Sequence, residues 1–142
     1  MINKNTIPHI LVVDDDEIDC IYVERELAKL NLPLTLQIAK NGVEALNILT
    51  NDNTETAVIP AIIVLDLMMP KMNGLEFLQS FRTHSKFNSV RIFVLTTSNN
   101  NKDKIATQDF NIDGYFVKGT QFEDFLNQCK NVLENFRSQI SD

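Results

Sequence analysis

The stretch HILVVDDDEID, residues 9–19, runs an apolar, β-branched segment straight into three consecutive carboxylates, Asp14, Asp15 and Asp16. An apolar run of this length with no polar alternation is what a central parallel strand looks like when both of its faces are covered. Two further stretches repeat the pattern: AIIVLD at 61–66 and RIFVLT at 91–96. LTLQI at 34–38 alternates apolar and polar residues, as a strand nearer an edge does, and GYFV at 114–117 reads as a short fifth strand ending at Lys118.

Helical patterns separate these strands. Residues 17–30 are expected to form a helix with Ile18, Ile21, Tyr22, Leu27 and Leu30 on or near one face. Helices over 42–50 and 74–83 carry Val43, Leu46 and Leu49, then Leu75, Leu78 and Phe81. A fourth, over about 102–110, has only Ile105, Ala106 and Phe110 as apolar anchors. The last helix has the clearest stripe: Phe122, Phe125, Leu126, Cys129, Val132, Leu133 and Phe136 follow a 3–4 spacing. Its end beyond Leu133 is a candidate docking segment. Strict strand–helix alternation predicts an α/β fold with right-handed crossovers. The expected architecture is a flavodoxin-like, doubly wound (βα)5 module with a five-stranded parallel sheet in the order 2-1-3-4-5. One domain is expected over 1–142, with a core at about 8–136 and a short C-terminal tail. The polar stretch 50–60 reads as a long loop.

Bulk properties narrow the partners. The formal net charge of −6 disfavours phosphate backbones and anionic lipid surfaces, so neither nucleic acid nor membrane is expected. The N-terminal MINKNTIPHI lacks a signal peptide's apolar stretch, and no apolar run approaches a membrane span. Cys20 and Cys129 fall among apolar helix positions and are expected to be buried thiols. A cytoplasmic setting follows as the expectation.

In doubly wound sheets, ligands bind beyond the carboxyl ends of the strands, where strand order reverses. Asp14 and Asp15 end the first predicted strand, Asp66 the third, Thr96 the fourth and Lys118 the fifth. Individually these residues have plain structural readings. Asp16, with Asp19 three residues on, suits a helix N-cap; Asp66 suits a turn. Together at one sheet edge they describe a site. Converging carboxylates suit a hard cation such as Mg2+, which takes one or two of them and keeps several waters. A hydroxyl and an ammonium beside it suit phosphoryl oxygens. The Asp66 carboxylate is then the candidate nucleophile, giving an aspartyl phosphate.

The segments LVVDDDE, IIVLDLMMPKMNGLEFL, VLTTS and GYFVKG, in this order and spacing, resemble the response-regulator receiver domain of two-component signalling. The resemblance covers about residues 8–136 and is strongest to stand-alone, single-domain receivers. It implies that Asp66 is the phospho-acceptor, Asp15 a direct Mg2+ ligand and Asp14 a ligand through water. It also implies that the Met68 backbone carbonyl is a further ligand, Thr96 the switch hydroxyl, Lys118 the phosphoryl-pairing lysine and Tyr115 the rotamer switch. In MPKMNG, Pro70 and Gly74 match residues that fix the turn after the acceptor. The implied donor is a phosphohistidine on a sensor histidine kinase or histidine phosphotransfer protein. Output is implied to run through protein contacts, with a homodimer through the fourth helix, fifth strand and fifth helix as one further expectation. On this reading the chain is no enzyme beyond its own phosphorylation and dephosphorylation.

Two departures stand out. The family usually places proline after its lysine, in a cis peptide; here Gly119 follows. A non-proline cis bond costs about 3 kcal/mol, so a trans Lys118–Gly119 peptide is expected. Thr97 replaces a residue that is often smaller, and is read as tuning access to the site. SNNNKDK at 98–104 reads as a mobile loop, Met68, Met69 and Met72 as an adaptable docking surface with core packing of Met69 as the alternative, and His9 and His84 as bystanders. Two rival readings stay open. One is a receiver-like interaction module that works without phosphorylation. The other is a haloacid-dehalogenase-like phosphatase using the Asp14-x-Asp16 spacing.

Overall fold

A computed structural model describes residues 7–50 and 59–141, the last five of these by backbone alone. Most of the expected 50–60 loop and the first six residues lie outside the described residues, as do the side chains past Phe136. The strands are β1 (His9–Val13), β2 (Thr35–Ala39), β3 (Ile62–Leu65), β4 (Arg91–Thr96) and β5 (Gly114–Val117). They alternate with α1 (Glu17–Ala28), α2 (Gly42–Thr50), α3 (Gly74–Phe81), α4 (Asn101–Gln108) and α5 (Phe122–Ser141). All the pairings are parallel, in the order β2-β1-β3-β4-β5. The expected architecture is met.

The three apolar runs form the centre of the sheet because both of their faces are covered. Ile10 and Val12 of β1, Ile62 and Val64 of β3, and Phe93 and Leu95 of β4 point to one side. There they meet Cys20, Val23 and Leu27 of α1 and Phe125, Cys129 and Leu133 of α5. The intervening residues Leu11, Val13, Ile63, Leu65, Ile92 and Val94 point the other way, onto Ala45 and Leu49 of α2 and Phe77, Leu78 and Phe81 of α3. This period-two division is the pleat expressed as two cores.

The α1 face differs from expectation. Ile18, Ile21 and Tyr22 are exposed, Ile18 at 78%, and the packed face is instead Cys20, Val23 and Leu27. Apolar residues occupy several sides of this helix, so their spacing alone does not single out the face that meets the sheet. In α2 the buried positions are Gly42, Ala45 and Leu49, with Val43 exposed. In α4 only Thr107 is buried, and Ile105 stands 65% exposed. SNNNKDK is in part that helix rather than loop: Asn100 caps it through the Lys102 amide, and residues 101–104 are helical. Met69 and Met72 pack on the core, leaving Met68 as the exposed methionine of the three.

At the amino-terminal ends of the strands, Arg82 acts as a clamp. Its Nε donates to the Phe110 carbonyl at 2.8 Å, Nη2 to Asn111 at 2.9 Å and Nη1 to Phe87 at 3.2 Å. Beside it, Arg91 pairs with Asp113, whose second oxygen accepts the Ile92 amide. The segment between α4 and β5 is therefore tied to α3 and β4 at this end.

Candidate functional site

The opposite end of the sheet carries the carboxylates. Beyond β1, the Asp14 amide donates to the Ala39 carbonyl; beyond β3, the Asp66 amide donates to Val13, so both residues are fixed by continuing strand bonds. β1 and β3 are neighbours, and the carboxylate oxygens of Asp14, Asp15 and Asp66 lie within 4.8 Å of one another. Asp14 and Asp66 are buried, while Asp15 is exposed at the rim of a cleft of about 630 Å³. Thr97, Met68 and Ile18 line the same cleft.

Asp16 does not join them. Its Oδ1 accepts the Ile18 and Asp19 amides at 3.0 and 3.1 Å, capping α1. Its own amide donates to Asp14 Oδ1 at 3.0 Å. The three consecutive aspartates therefore separate into a buried acid, a rim acid and a helix cap. A phosphatase using Asp14 and Asp16 together would need both in the cluster, and Asp16 is committed elsewhere.

Lys118 holds the cluster together. Its Nζ donates to Asp14 Oδ2 at 2.8 Å, Asp19 Oδ2 at 2.7 Å and Asp66 Oδ2 at 3.0 Å. The other Asp66 oxygen accepts the Met68 amide at 3.1 Å. Burial pulls the ammonium's pKa down, but the hydrogen bonds to the three carboxylates outweigh it and leave the pKa above the ordinary lysine value. For Asp14 the balance is reversed: burial raises its pKa to about 6, against the lowering by Lys118 and the Asp16 amide. Sequence reasoning placed Asp19 only in the helix cap and missed its bond to Lys118. The available signal was position: Asp19 lies one helical turn after Asp15, at the sheet end where Lys118 was expected.

The remaining expected residues lie close by but do not touch the carboxylates. Thr96 is fully buried, its Oγ1 accepting the Ser98 amide at 3.4 Å, and its carbonyl accepts the Lys118 amide at 2.7 Å. The Tyr115 hydroxyl donates to the Ser98 carbonyl at 2.9 Å. The Lys118–Gly119 peptide is trans, and Gly119 takes φ +89°. The turn beyond it closes through Gln121, whose side chain accepts the Val117 amide while its own amide donates to the Val117 carbonyl. Gly74 opens α3 with its amide on the Leu67 carbonyl, after an Asn73–Glu76 capping box. Cys20 and Cys129 are buried free thiols, both with raised pKa, burial being the main cause. Neither histidine joins the site: His9 bonds Thr35 and His84 lies edge-on to Phe87.

A model of the response regulator receiver domain matches residues 10–130. The chain belongs to this family. As a receiver domain it is a signalling module of two-component systems. It is 28% identical to response regulator Rcp1 of Synechocystis over 87% of this chain and 84% of Rcp1. With response regulator MprA of Mycobacterium ulcerans it shares 32% identity over 94% of this chain and 52% of MprA, so it spans about half of that relative's length. Among solved structures, a Mn2+-bound form of Rcp1 superposes with a TM-score of 0.76 at 28% identity, covering 88% of this chain and 91% of that one. A phosphorylated cyanobacterial phytochrome response regulator, RcpA, gives 0.78 at 25% identity, covering 94% and 96%. A two-component response regulator from Legionella pneumophila gives 0.75 at 37% identity, covering 87% and 98%. Receiver domains thus share the sheet order and helix arrangement found here.

The donor set of this receiver suits a hard divalent cation. All three side chains that converge offer carboxylate oxygens, and two of them are buried. The raised Asp14 pKa records the electrostatic cost of ionising it there, which a cation relieves. Among the described residues no helix is long and apolar enough to cross a membrane.

Proposed function

We propose that Asp66 is the phospho-acceptor of this receiver, taking a phosphoryl group from a phosphohistidine of a sensor histidine kinase or histidine phosphotransfer protein. The observation that carries this reading is the environment of the Asp66 carboxylate. It is buried, one oxygen sits on the Met68 amide and the other on Lys118, and Asp14 and Asp15 stand beside it. An Asp66 oxygen attacks phosphorus, the P–N bond to imidazole breaks, and the imidazole leaves with its electron pair. The Lys118 ammonium, already 3.0 Å from Asp66, counters charge that develops on the phosphoryl oxygens. Asp15, Asp66 and the Met68 carbonyl, with Asp14 acting through a water, would hold Mg2+, which would supply further positive charge there. Mn2+ in the Rcp1 structure supports a divalent ion of this kind.

The product adds about −1.5 to −2 of charge, as phosphoryl groups do at neutral pH. Thr96 responds to it with its hydroxyl, and Tyr115 follows by way of the Ser98 carbonyl that it already holds. The surface of α4, β5 and α5, with Ile105 exposed on it, changes its protein contacts or pairs with a second copy. The chain's only chemistry is then its own phosphorylation and dephosphorylation, carried out in the cytoplasm. Mass spectrometry after incubation with acetyl phosphate tests the reading. One phosphoryl group is expected on Asp66 when Mg2+ is present and none in Asp66→Asn. Uptake elsewhere, or without metal, overturns it.

A further inference from the structure

An ammonium has three protons to donate, and on Lys118 all three are spent on carboxylates. Two of the acceptors, Asp14 and Asp66, also belong to the oxygen cluster suited to a cation. The third, Asp19, does not. It stands in the first turn of α1, its side chain 37% exposed, and makes the shortest of the three bonds.

We infer that Asp19 is a positioning residue for Lys118, holding the ammonium at the site once Asp14 and Asp66 turn their charge to a divalent cation. The inference rests on the phosphoacceptor reading above. A cation among the carboxylates weakens their grip on Lys118 and repels the ammonium directly, since both are positive. Lysine's flexible four-carbon stem then permits escape into solvent. The backbone fixes only the root of the side chain, the Lys118 amide being held by the Thr96 carbonyl at 2.7 Å, and places no restraint on the ammonium four carbons away. Asp19 answers this from a fixed base. Its amide is held by the Asp16 cap at 3.1 Å, which orients the first helical turn and aims the carboxylate at Nζ. The segment 14–19 thus assigns Asp14 and Asp15 to the cation, Asp16 to the helix and Asp19 to the lysine.

The test is 15N-detected NMR of lysine ammonium groups in the full chain, with Lys118→Arg identifying the signal and Mg2+ titrated to saturation. The native Lys118 ammonium is expected to stay protected from solvent exchange with Mg2+ bound. In Asp19→Ala it is protected by Asp14 and Asp66 without Mg2+, and exchanges about tenfold faster once Mg2+ binds, as loss of one charge-assisted hydrogen bond predicts. Asp19→Asn keeps an acceptor oxygen and recovers most of the protection. Equal protection in Asp19→Ala and the native chain at saturating Mg2+ overturns the inference, as does an Asn variant no better than Ala. Acetyl phosphate uptake at saturating Mg2+ is expected to fall about tenfold in Asp19→Ala; uptake at the native rate would likewise overturn it. Failure of the native chain to take up phosphoryl would sink the phosphoacceptor reading instead, and the ammonium measurement reads independently of it.

Discussion

A Cβ on Gly74 would stand 2.7 Å from the carbonyl oxygen of Asp66 and 2.7 Å from the Cα of Leu67. Both neighbours are backbone, so neither can swing aside. Gly74→Ala must push α3 away from the segment that carries the acceptor, and overpacking of this kind costs about 1–3 kcal/mol. Urea unfolding is expected to show that loss, with a lower phosphoryl yield at Asp66. Gly119→Ala makes the informative contrast. Its space is open, so only the left-handed φ is penalised, at about 1–2 kcal/mol. Its acceptor segment is untouched.

The Asp14 carboxyl gives the stability a pH dependence of known sign. Its folded pKa of about 6 exceeds the ordinary 3.8, chiefly through burial, so the folded state binds its proton more tightly than the unfolded chain does. The resulting stability is fully present below pH 3.8 and is lost as pH rises through 6. A shift of that size corresponds to about 3 kcal/mol. Unfolding free energies measured from pH 4 to 7 should therefore fall relative to those of Asp14→Asn, which has no such proton. A parallel pH dependence in the two proteins would refute the assignment. Mg2+ at neutral pH should recover stability in the native chain.

Arg82 serves three carbonyls with one side chain. Arg82→Ala leaves them without that donor and is expected to cost about 2 kcal/mol or more in urea unfolding. Arg82→Lys should recover little, because an ammonium lacks the planar fork that reaches Phe110 and Asn111 together. A lysine variant as stable as the native chain would show that charge, not geometry, matters here.

The Tyr115 hydroxyl fastens the segment after β4 through the Ser98 carbonyl. Tyr115→Phe removes that bond at about 1 kcal/mol. Hydrogen exchange at the amides of residues 98–100 should then quicken about fivefold, while those of β4 stay as they were.

Much of this molecule can be read from the order of its residues. The β1, β3 and β4 runs are apolar nearly throughout because the fold covers both of their faces. Asp14, Asp15, Asp66, Thr96 and Lys118 were readable as a group because strand ends in a parallel sheet converge on one edge. The inward face of α1 was not readable, since Ile18, Ile21 and Tyr22 compete with Cys20, Val23 and Leu27 and the packing against β1, β3 and α5 decides between them. Asp19 was hidden for a different reason: it lies in the first turn of α1 rather than at a strand end, where the other two partners of Lys118 sit. Arg82 reaches backbone carbonyls, which carry no side-chain signature at all.

The helix cap on Asp16 also makes the protein vulnerable to a small genetic accident. A run of three identical residues that loses one member still looks acidic. Here such a contraction would draw the start of α1 back by one position, rotating its side chains by about 100° and shifting them by about 1.5 Å relative to β1. The acidic pair would survive on paper, yet the residue facing Lys118 would be a neighbour of Asp19 rather than Asp19 itself.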